Sequence, residues 1–159
     1  MTDVQALHPQ HPNWVFAVIE QPRHEPFRVQ YDPLRGVFEH TTWRSLPYAR
    51  AFPGHYGWIR GTGHPPDVHF DVYVVDDQSI TPGDVLEAAL IGMFVRSDGD
   101  HKFFAITGVP LGEEPDLLTL LDEERHRLMA VYPQLGDGDA WLGRDAAREW
   151  LRTRLPEHV

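Results

Sequence analysis

The sequence predicts an α+β fold: a small antiparallel β-barrel or β-sheet, with two helices packed outside it near the C-terminus. Three observations favour this fold class. Five or six segments of β-type residues come first, turn residues separate them, and segments with helical periodicity follow Pro115. Strands followed by helices, rather than alternating with them, are typical of such barrels and sheets.

The strand predictions rest on residue type and alternation. Residues 14–20 form an apolar run with β-branched and aromatic side chains, and residues 27–31 alternate apolar and polar positions. Both patterns are typical of strands. The predicted strands are residues 14–20, 27–31, 37–43, 70–75, 84–95 and 102–107. Residues 47–69 hold much of the glycine and proline and are predicted to be an irregular surface segment.

Two helices are predicted near the C-terminus. Apolar residues recur at helical spacing over 117–132 and again over 144–155, where Ala147, Trp150 and Leu151 share one face. The length of 159 residues suits one domain. We expect residues 1–12 to be a flexible leader and residues 13–159 to form the single domain.

Composition excludes several classes of function. The chain has 14 basic and 24 acidic residues, a net charge of −10, which disfavours a nucleic-acid partner. No apolar run approaches the roughly 20 residues that cross a bilayer, and no secretory signal is evident, so we expect a cytoplasmic protein without a membrane partner. The absence of cysteine excludes disulfides and thiolate chemistry.

Two acidic clusters are candidates for chemistry. In an extended chain Asp67, His69 and Asp71 point to the same side, and such oxygen and imidazole groups suit a divalent cation. A solvated strand face is the alternative. Asp98, Asp100 and Lys102 form a second cluster, whose composition is also common in hairpin turns.

Two arginines and one aromatic segment complete the candidates. Arg28 lies inside a predicted strand and Arg44 at the end of another, where they either meet an anion or face solvent. In residues 52–59, Gly54 and Gly57 bracket two aromatic rings. By spacing alone this segment is a packed loop.

The segment 51–59, Ala-Phe-Pro-Gly-His-Tyr-Gly-Trp-Ile, resembles the central motif of the soluble family I inorganic pyrophosphatases, which reads tyrosine–proline–x–asparagine–tyrosine–glycine–phenylalanine–isoleucine. Flanking segments agree with the family in order and spacing. They are residues 18–22, 26–30, 71–74, 82–85 and 91–93. The resemblance spans roughly residues 14–110, and a weaker similarity continues around Tyr132 and the final helix.

The resemblance implies a five-stranded OB-like barrel with helices outside, in agreement with the element order. It also implies metal-dependent hydrolysis of inorganic pyrophosphate to two phosphates, in which a metal-activated water attacks in line while cations neutralise the leaving phosphate. The implied cofactor is Mg²⁺, with Mn²⁺, Co²⁺ or Zn²⁺ as alternatives. Pyrophosphate or a related phosphate ligand is the implied partner, and a homo-oligomer is plausible.

Site residues carry over from the family position by position. The implied metal ligands are Glu20, Asp67, Asp71, Asp98 and Asp100, with His69 as a further candidate. The implied catalytic residues are Asp67, Asp71 and Tyr56. The implied substrate-binding residues are Arg28, Arg44, Lys102 and Tyr132.

The chain also departs from the family pattern. Family carboxylates are replaced at Gln30, Pro66, Val68 and Gly99, a tyrosine at Phe52 and a lysine at Pro133. His55, His64 and His69 either replace the lost metal ligands or fill space at a disused site. Two further functions therefore stay open: a non-catalytic protein that binds phosphate ligands or partners, and a hydrolase of another phosphoanhydride or phosphoester.

Overall fold

The computed structural model describes residues 6–63 and 65–154. These residues form eight strands, three α-helices and a 3₁₀ turn at Leu117–Thr119. The strands are β1 (Trp14–Gln21), β2 (Phe27–Asp32), β3 (Val37–Arg44), β4 (Gly54–Ile59), β5 (Asp71–Val75), β6 (Val85–Val95), β7 (Lys102–Ile106) and β8 (Ala140–Gly143). The helices are α1 (Leu46–Ala49), α2 (Asp122–Met129) and α3 (Arg144–Arg154).

Five strands close into a barrel in the order β1-β4-β5-β7-β6, because β6 pairs with β1 as well as with β7. Strand β8 extends the sheet from β6, and β2 and β3 form a separate hairpin. The predicted barrel with helices outside is confirmed. One barrel pairing, between β5 and β7, is parallel rather than antiparallel as predicted. Strand directions cannot alternate at every pairing around a closed ring of five strands, and because the other four pairings are antiparallel, β5 and β7 must be parallel.

The buried side chains form two clusters. Successive residues of a strand point to opposite faces, so Val72 and Val74 of β5 belong to one cluster and Tyr73 to the other. Leu151 of α3 packs in the first cluster, and Leu128 of α2 packs in the second. The two longer helices therefore cover different parts of the core.

The prediction of an irregular segment over residues 47–69 is wrong for much of its length. It contains part of α1 and the buried strand β4, which pairs with β1 and β5. A Cβ on Gly57 would lie 1.9 Å from the carbonyl oxygen of Val18, and one on Gly54 would lie 1.9 Å from that of Val74. The glycines that indicated a loop are there because neighbouring strands approach closely.

The predicted helix over residues 117–132 is interrupted. The 3₁₀ turn begins after Asp116, whose carboxylate accepts a hydrogen bond from the amide of Leu118. Leu120 and Leu121 then take extended backbone angles before α2 begins. Apolar residues at helical spacing are buried on both sides of this break, so their pattern does not reveal it. The four-residue strand β8 has no counterpart among the predictions, whereas helix α3 confirms the predicted C-terminal helix.

The expected leader begins with residues 1–5, which lie outside the described residues. Its described part packs against the domain. Leu7 joins the first buried cluster, and the buried His8 has its Nε2 atom 2.7 Å from a carboxylate oxygen of Glu87. His11 is also buried. No helix within residues 6–63 and 65–154 has both the length and the apolar character needed to cross a membrane.

Candidate active site

The ammonium group of Lys102 is the centre of the candidate site. Lys102 begins β7 and Asp71 begins β5, and the two residues are register partners in the parallel pairing. Lys102 Nζ donates hydrogen bonds to Asp71 Oδ2 at 2.6 Å, to the Tyr56 hydroxyl at 3.0 Å and to the Asp100 carboxylate at 3.2 Å. An ammonium group has three hydrogens, and each has an acceptor here.

These contacts fix the charge of both partners. Burial alone would raise the pKa of Asp71, but hydrogen bonds from His69 and the Lys102 ammonium hold it at about 2. Burial would lower the pKa of Lys102, and the carboxylate of Asp71 outweighs that effect and raises it. Asp71 is therefore an anion and Lys102 a cation at neutral pH.

The His69 ring has both nitrogens engaged. Nδ1 lies 2.8 Å from the main-chain carbonyl oxygen of Asp67, and Nε2 lies 2.9 Å from Asp71 Oδ1. A carbonyl oxygen only accepts, and Asp71 is ionised, so each nitrogen carries a hydrogen in this arrangement. The bond to Asp71 raises the pKa of His69 accordingly. The ring acts here as a cation, with no lone pair directed at a metal.

Glu20 and Arg28 form a second ion pair beside this centre. Glu20 lies near the end of β1 and is almost fully buried. Its Oε1 accepts from Arg28 Nη2 at 2.9 Å, and its Oε2 accepts from the main-chain amide of Tyr31 at 2.9 Å. Both carboxylate oxygens therefore have protein partners. The pair holds the β2–β3 hairpin against the barrel.

Two tyrosines stay protonated at the site. Burial, followed by the nearby charge of Asp71, raises the pKa of Tyr56 well above its ordinary value. Its ring lies 5.6 Å from the Arg28 guanidinium carbon, close enough for a cation–π contact. Burial also raises the pKa of Tyr132, whose hydroxyl lies 3.0 Å from that of Tyr73. The Tyr132 hydroxyl accepts from Tyr73 and can donate its hydrogen to an anion, whereas the Tyr56 hydroxyl accepts from Lys102 and donates to Asp71.

These residues border an open pocket of about 460 Å³, which is within the range of small-molecule sites. Its lining combines cations, aromatic rings and two apolar residues: Arg28, Arg44, Leu46, Pro47, Arg50, Tyr56, Tyr73, Arg96, Lys102 and Tyr132. We call this the cationic pocket. Among the described residues no carboxylate lines it, because the acidic side chains stand behind the cations. Such a pocket favours an anionic ligand.

The structure brings most of the predicted site residues together. Arg28, Arg44, Tyr56, Lys102 and Tyr132 line the cationic pocket. Glu20, Asp71 and Asp100 contact its cations. Asp98 lies at the rim, with a carboxylate oxygen 3.5 Å from Arg96 Nη2.

Other predicted residues lie elsewhere. Asp67 is exposed in the loop before β5, and its main-chain carbonyl rather than its carboxylate contacts His69. The neighbouring Val68 is 81% exposed and does not pack into the core. His55 is fully buried and pairs with Asp76 at 3.0 Å, so it faces the protein interior. His64 lies outside the described residues.

Arg50 and Arg96 are pocket residues that the sequence predictions missed. Arg50 is the C-cap of the short helix α1, and Arg96 directly follows the buried strand β6. Neither belongs to a motif segment. The one signal available was position, because Arg96 lies two residues before the acidic turn at Asp98.

The family model for inorganic pyrophosphatase matches residues 17–126, more than half of the chain. The chain belongs to the inorganic pyrophosphatase family. The matched range includes every strand of the barrel except the first three residues of β1, and it includes the core of the cationic pocket. The recognition made from the motif segments is therefore confirmed.

This chain is also similar to individual inorganic pyrophosphatases. The protein of Thermus thermophilus is 33% identical over 98 residues, which are 60% of this chain and 55% of that protein. Inorganic pyrophosphatase 1 of Pseudomonas syringae pv. tomato is 29% identical over 153 residues, 86% of each chain. The crystal structure of the Thermus thermophilus protein superimposes with a TM-score of 0.67 at 25% identity, over 92% of this chain and 91% of that one.

Proposed function

We propose that this protein hydrolyses inorganic pyrophosphate to two phosphates. Water attacks one phosphorus in line with the bridging oxygen, the phosphorus–oxygen bond of the anhydride breaks, and one hydrogen of the water ends on each phosphate. The observation that carries the proposal is the cationic pocket, whose lining includes five cations and three protonated tyrosines. Family membership supplies the reaction.

The cations bind the substrate and neutralise its charge as the anhydride bond breaks. Arg28 and Arg44 present planar guanidinium groups, which match phosphoryl oxygens in pairs. Tyr132 is placed to donate a single hydrogen bond, and Tyr56 contributes its ring to the lining while its hydroxyl is held by Lys102 and Asp71. Asp71 is ionised and accepts hydrogen bonds from Lys102 and Tyr56, and these contacts hold both groups in place at the pocket.

Family membership implies a divalent metal, and Mg²⁺ is the first candidate, followed by Mn²⁺, Co²⁺ and Zn²⁺. The carboxylates as arranged do not fit a bound metal cluster. Asp71 and Asp100 share the Lys102 ammonium, and both oxygens of Glu20 are occupied. Within residues 6–63 and 65–154 no three potential ligands form a metal-binding group. The ligand roles of Glu20, Asp67, Asp71, Asp98, Asp100 and His69 stay predictions.

A second candidate function is phosphate binding without catalysis. The observation that favours it is that side-chain cations already occupy the carboxylates of Glu20, Asp71 and Asp100. These pairs weaken the case for a bound metal, and the cations that would bind an anion remain in the pocket. A non-catalytic protein of this kind would take up pyrophosphate without consuming it.

Phosphate release from pyrophosphate tests the proposal. We expect release in the presence of a divalent metal, measured in parallel with Mg²⁺, Mn²⁺, Co²⁺, Zn²⁺ and EDTA. Asp71→Asn should lower the rate by about 100-fold or more, because Lys102 and Tyr56 lose the charge that positions them. Asp137→Asn, in an exposed turn outside the pocket lining, is the matched control and should keep the wild-type rate.

The melting temperature separates the two functions. Folded protein that releases no phosphate with any metal contradicts the hydrolase proposal. If pyrophosphate nevertheless raises the melting temperature of that protein, binding without catalysis is the better conclusion.

A further inference from the structure

We infer that Arg50 and Arg96 bind the substrate directly, and that the cationic pocket binds a pyrophosphate anion without a divalent metal. The inference rests on the proposed function, because it concerns how the same pocket holds its substrate. It adds two substrate-binding residues to that function, together with a mode of binding in which guanidinium groups supply the positive charge that balances the substrate.

Arg50 is held at the pocket by the main chain. Its Nη1 donates a hydrogen bond to the carbonyl oxygen of Val131, and the helix that it caps, α1, contributes Leu46 and Pro47 to the pocket lining. A guanidinium group has five hydrogens. One contact to Val131 fixes the position of Arg50 and leaves the other hydrogens available to a ligand.

Arg96 approaches the same place from the end of β6. Its guanidinium carbon lies 5.7 Å from the centre of the Tyr132 ring, which directly follows Val131 in the chain. Its nearest carboxylate oxygens belong to Asp98 at 3.5 Å and Asp100 at 3.8 Å. Both carboxylates are more than half exposed, so these pairs are weak and a multivalent anion can compete with them.

The charge around the opening supports metal-free binding. The pocket is lined by Arg28, Arg44, Arg50, Arg96 and Lys102. Among the described residues, no carboxylate lies within ion-pairing distance of Arg44 or Arg50.

A fully ionised pyrophosphate carries four negative charges. The two unpaired arginines, with the weakly paired Arg96, can balance most of them without a bound metal. The chemical class that fits is a phosphoanhydride with free terminal phosphoryl groups, because their oxygens accept paired hydrogen bonds from guanidinium groups.

Calorimetric binding of pyrophosphate in EDTA tests the inference. We expect the wild-type protein to bind, and Arg96→Gln and Arg50→Gln each to weaken binding by about tenfold or more, as for the loss of a hydrogen bond to a charged group. Arg50→Lys keeps the charge and should retain part of the affinity. Arg35→Gln is the matched control, since Arg35 pairs with Glu39 at the exposed tip of the hairpin. Melting temperatures verify that each variant is folded.

Failure of this inference is distinguishable from failure of the proposed function. No binding in EDTA, together with binding of the non-hydrolysable analogue methylenebisphosphonate in Mg²⁺, overturns metal-free binding and leaves hydrolysis standing. Equal affinity of the wild type, Arg50→Gln and Arg96→Gln overturns the assignment of these arginines. Tight, arginine-dependent binding in EDTA without phosphate release under any metal supports the inference and contradicts the proposed hydrolysis.

Discussion

Lys102 connects catalysis to stability at the scale of a single residue. Lys102→Met would leave Asp71 as a largely buried carboxylate without its ammonium partner, and removal of one member of a buried pair is strongly destabilising. We expect the free energy of unfolding in urea to fall by about 3 kcal/mol. The exposed pair Arg35–Glu39 provides the contrast, since Arg35→Gln should cost less than about 1 kcal/mol.

The pKa of Asp71 is the independent check on Lys102→Met. Because the ammonium helps to hold this pKa at about 2, its loss should move the pKa upwards, which nuclear magnetic resonance of the carboxyl carbon can follow. An unchanged pKa would contradict the ion pair as the organising contact of the site.

His55 makes stability depend on pH. Its Nδ1 accepts from the main-chain amide of Arg23 at 2.9 Å and its Nε2 donates to Asp76, so the buried ring fits the neutral form. Burial lowers its pKa below 6.5, although Asp76 opposes the shift. As the pH falls, the unfolded chain therefore takes up the proton first. The contribution of His55 is complete above about pH 6.5 and declines as the pH falls through the folded-state pKa.

Urea unfolding between pH 5 and pH 8, for the wild type and His55→Gln, measures this contribution. The variant should be less stable at pH 8, and the difference between the two proteins should shrink as the pH falls. The comparison isolates His55 from His69, whose raised pKa acts in the opposite direction. A difference that grows at low pH would mean that the folded protein holds a protonated His55.

At the scale of elements, strand β4 depends on its glycines. A Cβ on Gly57 would lie 1.9 Å from the carbonyl oxygen of Val18, and the register between β1 and β4 shifts just beyond this point, between Ile19 and Gln21. We expect Gly57→Ala to lower the free energy of unfolding by more than about 3 kcal/mol, because backbone rather than a mobile side chain must yield. At Gly136 the nearest atom belongs to the side chain of Asp139, at 3.2 Å, so Gly136→Ala is the milder control. Equal effects would contradict the close strand approach.

The elements that could be predicted from the sequence are those whose residue pattern matches their burial. Strand β2 alternates polar and apolar residues, and β6 is a long apolar run, so both were evident. Strand β4 was missed because Gly54 and Gly57 are typical of turns, and only the position of β1 and β5 explains them. The break at Leu120 and Leu121 was missed because apolar spacing continues across it.

The site was predictable as far as its motif residues extend. The family pattern identified Arg28, Tyr56 and Lys102, which line the pocket. It could not identify Arg50 or Arg96, because their positions depend on the main chain at Val131 and on the ring of Tyr132. These contacts join segments far apart in the sequence, and no local pattern encodes them.

The whole molecule carries a net charge of −10, yet its pocket is locally positive. Lys102 and Arg28 are each backed by a largely buried acidic partner, which holds the cation in place and leaves the opening without a carboxylate lining among the described residues. Because local geometry determines the field at an opening, overall acidity does not prevent binding of an anion.

We expect the domain to unfold in a single cooperative transition. Leu7 near the N-terminus and Leu151 in α3 belong to the same buried cluster as the barrel strands. Far-ultraviolet circular dichroism and tryptophan fluorescence should therefore give coincident thermal curves, since Trp58 lies in β4 and Trp150 in α3. Separate curves would show that α3 or the N-terminal segment unfolds independently, against the prediction of one domain.

The register pairing of Asp71 with Lys102 sets unequal limits on how this site can diverge. Their contact joins the two parallel strands, so the same pairing that closes the barrel also brings together the central residues of the site. Pro66, Val68 and Gly99 lie in loops that do not take part in that closure. A lineage can therefore exchange loop carboxylates for neutral or basic residues while the barrel persists, whereas a change at Asp71 or Lys102 risks the architecture together with the chemistry.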